Sequence, residues 1–557
     1  MGNVKGRYSR LFAAVCAAVL AAAAMPVSAE GAGDRYEAEE AVLDRVDAAG
    51  DHVSLKSEGS VTFKVEIPES GWYSLNFISA GVGGAKENNA LVDGDKVGSF
   101  RSASGKMGDS VIGNVYVEKG SHDVTVTPSW GWIDLDALVI TASQLKDSYD
   151  VKGELSNKNA TDSARRLMAF LKDNYGEKTI SGQQCDGGLN GSEFKVIKEA
   201  TGKTPALVGL DLMDYTPVRV SQGASCSSVE KAIEFSQAGG IVEMCWHWSA
   251  PKQYIKEGKD ANGNPMWWGS FYTANVTMDF DAVMNGEDPE GYAQLVADID
   301  AIAEQLKKLQ EADVPVLFRP LHEGSGGWFW WGSGSAESYR KLWVTMYDKL
   351  TVEHGLNNLI WVYNGQAKEW YPGDEYVDII GEDIYPGRQV TSPQSSKFLE
   401  AADYTDDTKI VTLSENGCLF DPDEAYDRGT LWSWFCVWNG EFVRSGSRLS
   451  EEYSTAEMWK KVYNSEYVLT LDELPDLKNY PLEEGEEAPV EQEEAPLKGD
   501  VNLDGDVNVT DVSMTAAHVK GIRALADDSL ADVNGDGDVN VTDLSAIAAH
   551  VKGIRPL

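Results

Sequence analysis

Cysteine and histidine are scarce in this 557-residue chain, with six and seven copies, and 48 Lys plus Arg face 89 Asp plus Glu for a formal charge of −41. Beyond Cys16, the cysteines are Cys185, Cys226, Cys245, Cys418 and Cys436, an odd number spread widely, most of them in or beside apolar segments. Such spacing excludes a disulfide framework and a zinc site. The deficit of positive charge argues against nucleic acid as a partner, since phosphate backbones are repelled. Neutral sugars escape that repulsion, and divalent cations are attracted by it. Past the amino terminus no apolar run is long enough to cross a bilayer, so no membrane association is expected. Aromatics, by contrast, are plentiful: 17 Trp, 22 Tyr and 15 Phe in a chain that is 42% hydrophobic exclude global disorder.

Lys5, Arg7 and Arg10 precede an apolar stretch from Leu11 to Met25 and then Val27-Ser28-Ala29. A basic head, a short apolar middle and a small-residue cleavage site read as a secretory signal peptide over residues 1–29, so a secreted, extracellular product is expected. Composition divides the remainder. Residues 34–142 alternate apolar and polar in short runs such as Val61–Ile67, Trp72–Phe77 and Asp123–Val126, separated by Gly, Asp and Asn turns, the pattern of a β-sandwich. Residues 156–475 alternate apolar strands with longer amphipathic stretches. Residues 481–498 are acidic, punctuated by proline and free of aromatics, which predicts a linker extended by self-repulsion. Residues 499–557 are a duplication.

In that duplication two loops place oxygen-bearing side chains at positions 1, 3, 5, 9 and 12, with glycine at position 6. The first uses Asp500, Asn502, Asp504, Asn508 and Asp511, and the second Asp532, Asn534, Asp536, Asn540 and Asp543. Hard oxygen donors converging at this spacing are what calcium requires, with Asp at position 12 in place of the usual Glu. Two calcium ions are therefore expected. A helix follows each loop and ends in the same string, Ala517–Arg523 and Ala549–Arg555. Paired calcium loops behind a linker resemble a dockerin, which implies a cohesin domain on a scaffold as partner, with Val509-Thr510 and Val541-Thr542 at the positions of specificity. A calcium sensor is the competing reading.

Eight candidate strands punctuate the middle region: Thr179–Gln184, Ala206–Leu212, Ile241–Trp248, Val314–Glu323, Leu359–Asn364, Asp378–Tyr385, Ile410–Gly417 and Phe435–Gly440. Alternation with helices predicts parallel pairing and a (β/α)8 TIM barrel, whose chemistry gathers at the carboxyl ends of the strands. The expected fold class is thus multidomain: a β-sandwich, a TIM barrel and a small α-helical domain of paired calcium loops.

Strand four runs into Arg319-Pro320-Leu321-His322-Glu323 and then Gly324–Gly332, which holds Trp328-Phe329-Trp330-Trp331; strand seven ends Ser414-Glu415-Asn416-Gly417. Two carboxylates facing one cleft are what glycosidic hydrolysis needs, one to protonate the leaving oxygen and one to attack the anomeric carbon. These strands can hold the pair roughly 5–5.5 Å apart, which predicts retention of configuration. Any single Glu is more often a surface ion pair, and a Trp cluster is more often core. Here each Glu terminates an apolar strand, and the aromatics sit among glycines.

These strings, with Trp246–Pro251 and Asp383-Ile384-Tyr385, resemble glycoside hydrolase family 26, chiefly β-1,4-mannanases. The resemblance implies Glu323 as general acid/base and Glu415 as nucleophile, with no cofactor for catalysis. It places His247, Trp248, His322, Trp328, Trp331, Tyr385 and Trp438 along the substrate, with Tyr385 bonded to the nucleophile and Arg319 orienting carboxylates. Gly324-Ser325 departs from the family, where many members carry a larger residue and then Asn. In the sandwich, Tyr36–Ala41 and Trp130–Leu138 are similar to carbohydrate-binding module family 35. That likeness implies one further calcium on Glu37, Glu39 and Asp136, and sugar contact by Trp130 and Trp132.

The expected protein is a secreted, scaffold-docked endo-β-1,4-mannanase acting on β-mannan, a monomer. A β-1,3-xylanase or mixed-linkage β-glucanase of the same family stays open, as does a non-catalytic adhesion protein of sandwich, aromatic cleft and dockerin.

Overall fold

The computed structural model describes residues 33–143, 151–260, 262–482, 497–502, 507–522, 525, 528–552 and 555. The expected signal peptide, most of the expected linker and Asp504 lie outside the described residues.

Eight parallel strands close a barrel: β1 (Thr179–Gln184), β2 (Leu207–Asp211), β3 (Ile241–Cys245), β4 (Val316–Arg319), β5 (Leu359–Tyr363), β6 (Ile379–Ile384), β7 (Ile410–Asn416) and β8 (Trp434–Val437). Each pairs with the next, and β1 pairs with both β8 and β2. Covered by helices outside and side chains inside, the strands are apolar on both faces; Leu359-Ile360-Trp361-Val362-Tyr363 is buried throughout. The helix Pro289–Glu311 shows the complementary logic. Asp288 caps it by accepting from the Gly291 amide, Pro289 fits the first turn, and Leu295, Ile299, Ile302 and Leu306 recur on the buried face.

All eight expected strands are present, but several stop early. β3 ends at Cys245 rather than Trp248, and β4 at Arg319 rather than Glu323. The reason for β4 is local: Leu321 and Glu323 adopt positive φ of 51° and 53°, which no strand ladder accommodates. The chain leaves the sheet there and carries its polar side chains over the barrel mouth.

The sandwich is antiparallel. Its two principal strands, Gly71–Val92 and Gly120–Ala142, run far longer than the expected short segments, because register shifts at Ile78/Ser79 and Val82/Glu87 bend one ladder instead of ending it. Val61, Phe63, Val65 and Ile67 alternate into the core, where Phe77 stacks on Phe100 at 4.3 Å. At the carboxyl end, helices Val509–Val519 and Val541–Val551 pack together, each closed by a capping box between Asn508 and Asp511 or Asn540 and Asp543.

Candidate active site

Arg319, the last residue of β4, is wholly buried beneath the barrel mouth. Its Nε donates to Glu243 Oε1 of β3 at 2.9 Å, and Nη1 donates to Asn364 Oδ1 after β5 at 2.8 Å and to Asp383 Oδ2 of β6 at 3.1 Å. Nη2 donates to Glu415 Oε1 of β7 at 2.6 Å. A planar fork of donors is the side chain suited to such a hub, where an ammonium would satisfy fewer partners in fixed directions. Burial opposes the charge on Arg319, and the carboxylates of Asp383, Glu415 and Glu243 outweigh it and raise its pKa. Burial likewise pushes Glu243 and Asp383 upward despite the guanidinium.

Glu415 is held on its other oxygen as well: Tyr385 OH donates to Oε2 at 2.7 Å. The ladder between β6 and β7 shifts register after Glu382, so Asp383 stands directly beside Glu415. A bulge at this point re-aims the strand end into the mouth. Glu323 arrives from the opposite side. Its amide donates to the Asn364 carbonyl at 2.7 Å, and its Oε2 accepts from Trp328 Nε1 at 2.7 Å. Two glycines permit this approach. A Cβ on Gly324 would lie 2.4 Å from the Tyr339 ring, and one on Gly326 would lie 2.2 Å from that of Trp328. The Gly324-Ser325 departure thus matches a close ring contact that a larger residue could not make. One carboxylate oxygen from each of Glu323, Asp383 and Glu415 lies within 4.8 Å of the others. Burial, then the charge of Glu415, pushes the Glu323 carboxyl up to about 7.

Beside the acids, Asp211 at the end of β2 bonds His247 Nδ1 at 2.6 Å, and His247 Nε2 lies 3.2 Å from His322 Nε2. Burial opposes protonation of His247, yet the Asp211 carboxylate overrides it and raises its pKa. His322, buried next to His247, is shifted well below the usual histidine range. Charge therefore favours His247 as the protonated ring and His322 as its neutral acceptor.

Residues 156–473 match the model of glycosyl hydrolase family 26. The chain belongs to that family. Residues 34–143 match the carbohydrate binding module of family 35, and residues 498–552 the dockerin type I domain. The chain is 38% identical to a mannan endo-1,4-beta-mannosidase of Thermothelomyces thermophilus, over 79% of this chain and 90% of the relative. It is 33% identical to mannan endo-1,4-beta-mannosidase B of Piromyces sp, over 75% and 71%. The crystal structure of the Podospora anserina GH26-CBM35 beta-(1,4)-mannanase superposes with a TM-score of 0.56 at 36% identity, covering 80% of this chain and 99% of that one. The chain is a glycoside hydrolase.

Within this family 26 site the expected aromatic contacts divide. Trp328 is 46% and Tyr385 41% exposed, while Trp438 is half-buried with its ring 5.9 Å from His247. Trp248 and Trp331, expected along the substrate, are fully buried. Trp248 stacks on Trp246 at 4.2 Å and donates to Asp298; Trp331 donates to the His322 carbonyl at 2.9 Å. Both are core residues that hold the mouth in shape, as is Trp330. Sequence reasoning missed Tyr272 and Trp268, which are 44% and 52% exposed in the loop after β3, with Tyr272 stacked on Phe329 at 5.6 Å. The signal was available: Met266–Tyr272 packs four aromatics into seven residues of the long loop after a strand. Asp211, Glu243 and Asn364, the positioning partners, were missed because only the closed barrel brings them together.

The calcium expectations also divide. In the second loop, oxygens of Asp532, Asp536 and Asp543 lie within 4.8 Å of one another, and Asp532 already accepts three loop amides. This donor set fits a calcium ion. In the first loop Asp511 is buried and gathers the amides of Val501, Asn502 and Asn508. The sandwich set does not fit. Arg35 Nη2 donates to Glu37 at 3.0 Å and to Asp136 at 2.7 Å, filling the space between them, and Glu39 points out exposed on a separate turn. The Arg35 guanidinium supplies the positive charge that an ion would bring. Of the two expected sugar-contacting tryptophans there, Trp132 is 48% exposed, and the Trp130 side chain lies outside the description.

Replacing Arg319 with Met, similar in length but uncharged, leaves three buried acids without their common partner. We expect a loss of about 3–5 kcal/mol, read as a lowered thermal midpoint by calorimetry. An unchanged midpoint would show that the hub carries no such weight.

Proposed function

We propose that this protein is a secreted endo-β-1,4-mannanase that cleaves internal β-mannosidic bonds with retention of configuration and is delivered to a multi-enzyme scaffold by its dockerin. One observation carries the chemistry: Glu323 and Glu415 bring carboxylate oxygens within 4.8 Å across the barrel mouth. Retaining glycosidases hold their carboxyls roughly 5–5.5 Å apart, whereas inverting ones need roughly 6.5–9.5 Å to seat a water between. The mannan substrate is supported by the names of the relatives.

In the first step Glu415 attacks the anomeric carbon. Arg319 and Tyr385 occupy its oxygens in the resting state, keeping the group aligned. Glu323, with its pKa pushed up to about 7, holds a proton near neutrality and passes it to the departing glycosidic oxygen. Once Glu415 is esterified its charge is gone, the pKa of Glu323 falls, and Glu323 takes a proton from the water that releases the sugar. His247, Trp328 and Tyr385 line the reacting sugar, with His322 buried behind His247. Val509 and Val541, 67% and 65% exposed at equivalent positions of the two dockerin helices, form a duplicated face for a cohesin. Calcium, when bound, crosslinks the loops that carry this face.

Glu323→Ala and Glu415→Ala should each lower reducing-sugar release from mannan by at least about a thousandfold, with the fold retained; near-normal rates in either would remove the assignment. Comparison of mannan with xylan and mixed-linkage glucan tests the substrate.

The acid must be protonated to act, so kcat/KM should fall as pH rises through about 7. Trp328 Nε1–H stabilises the ionised form of Glu323 and lowers its pKa. Trp328→Phe should therefore move the alkaline limb to higher pH, and a shift to lower pH would contradict the role.

Chelation of calcium should abolish capture by immobilised cohesin and leave mannan hydrolysis intact. Loss of hydrolysis on chelation would contradict a purely C-terminal role for the ion.

A further inference from the structure

Tyr385 has two neighbourhoods. Its hydroxyl serves Glu415, while its ring lines a second cleft of about 750 Å³ between the barrel and the sandwich. The barrel wall is the segment from Ile384 to Asp403, and the facing wall is the sheet surface of strands Asp95–Ser102 and Gly108–Val117. The two modules touch at the cleft's rim. The helix Ser395–Ala402 packs on strand Gly108–Val117, and the Arg428 guanidinium lies 4.9 Å from the Tyr116 ring.

The size falls in the roughly 300–1,000 Å³ range of ligand sites. Its lining contrasts with the rest of a strongly acidic protein: Lys96, Arg101, Lys397 and Arg428 stand among Glu87, Glu400 and Asp403. A single-sign ligand gains little from such mixed walls. A neutral chain of hydroxyls, each able to donate and accept, finds partners of both kinds, and Gln394 adds an amide that does both. Val111, 56% exposed, gives the sandwich wall an apolar spot.

We propose that this cleft binds the stretch of β-mannan that runs past Tyr385 out of the catalytic groove, so that the sandwich supplies distal subsites to the hydrolase. The inference rests on the mannanase reading and extends it. Occupied from both walls, the cleft favours long chains, because a short oligosaccharide fills the groove without reaching the sandwich.

The test uses the full chain with Arg101→Ala on the sandwich wall, Gln394→Ala on the barrel wall, and Val111→Trp, which adds bulk at an exposed position. kcat/KM is measured on mannotetraose and on mannohexaose and mannan. The expected result is a drop of about three- to tenfold on the long substrates for each variant, with mannotetraose unchanged. Mannotetraose turnover doubles as the control for folding; should an alanine variant lose it, Val111→Trp decides alone. A ratio of long- to short-substrate kcat/KM in Val111→Trp equal to that of the wild type would overturn the cleft while leaving the mannanase reading in place. A wild-type chain inert on mannan overturns both.

Discussion

The architecture of the site depends on one buried cation. Arg319 sits below the barrel mouth with no solvent to share its charge, and it draws acids from β3, β6 and β7 onto one guanidinium. Removing four ionisable groups from water costs far more than any one pair returns, so the arrangement persists only as a complete network. Its consequence is chemical. Burial first and the charge of Glu415 second push the Glu323 carboxyl up to about 7, so it keeps a proton near neutrality beside the Glu415 side chain that the hub holds. The hub thus holds the proposed nucleophile and, through its charge, bears on the proposed acid.

The second constraint is backbone geometry at the end of β4. Leu321 and Glu323 hold left-handed conformations that cost of order 1–3 kcal/mol each for residues with a side chain. The return is placement. Leaving the sheet early swings Glu323 across the opening, where the Asn364 carbonyl fixes its amide and the Trp328 indole fixes its carboxyl. Gly324 and Gly326 are the concessions that let two aromatic rings close on this turn. Behind it the buried Trp248, Trp330 and Trp331 form a rigid backing, with Trp330 donating to the Trp248 carbonyl at 2.5 Å.

Much of this was legible in the sequence. Apolar runs of strand length, alternating with capped amphipathic helices, give the barrel, and an acid just past the end of such a run points to the mouth. Glu323 and Glu415 follow from that rule, and Tyr385 and His247 from the family 26 resemblance. The failures have a common origin in three-dimensional closure. Whether a tryptophan beside a strand end faces sugar or core depends on which neighbours close over it, and nothing local separates Trp328 from Trp331. Glu37 and Asp136 were given as calcium ligands by the family 35 likeness, and the sequence does not show that Arg35, two residues before Glu37 and paired with Val139 on the neighbouring strand, bridges them. Asp211 and Asn364 fall at the ends of expected strands with nothing local to mark them until the barrel brings them to the histidine and the arginine.

The three modules share one logic, acid oxygens organised around positive charge: a guanidinium in the barrel, another in the sandwich, and a set of carboxylates open to calcium at the end. The decisive measurement concerns the barrel. Incubation with an activated 2-deoxy-2-fluoro-mannoside, which slows release of the covalent intermediate, followed by peptide mass spectrometry, should place one sugar on Glu415. A label on any other residue, or inverted products with no covalent adduct, would contradict the account.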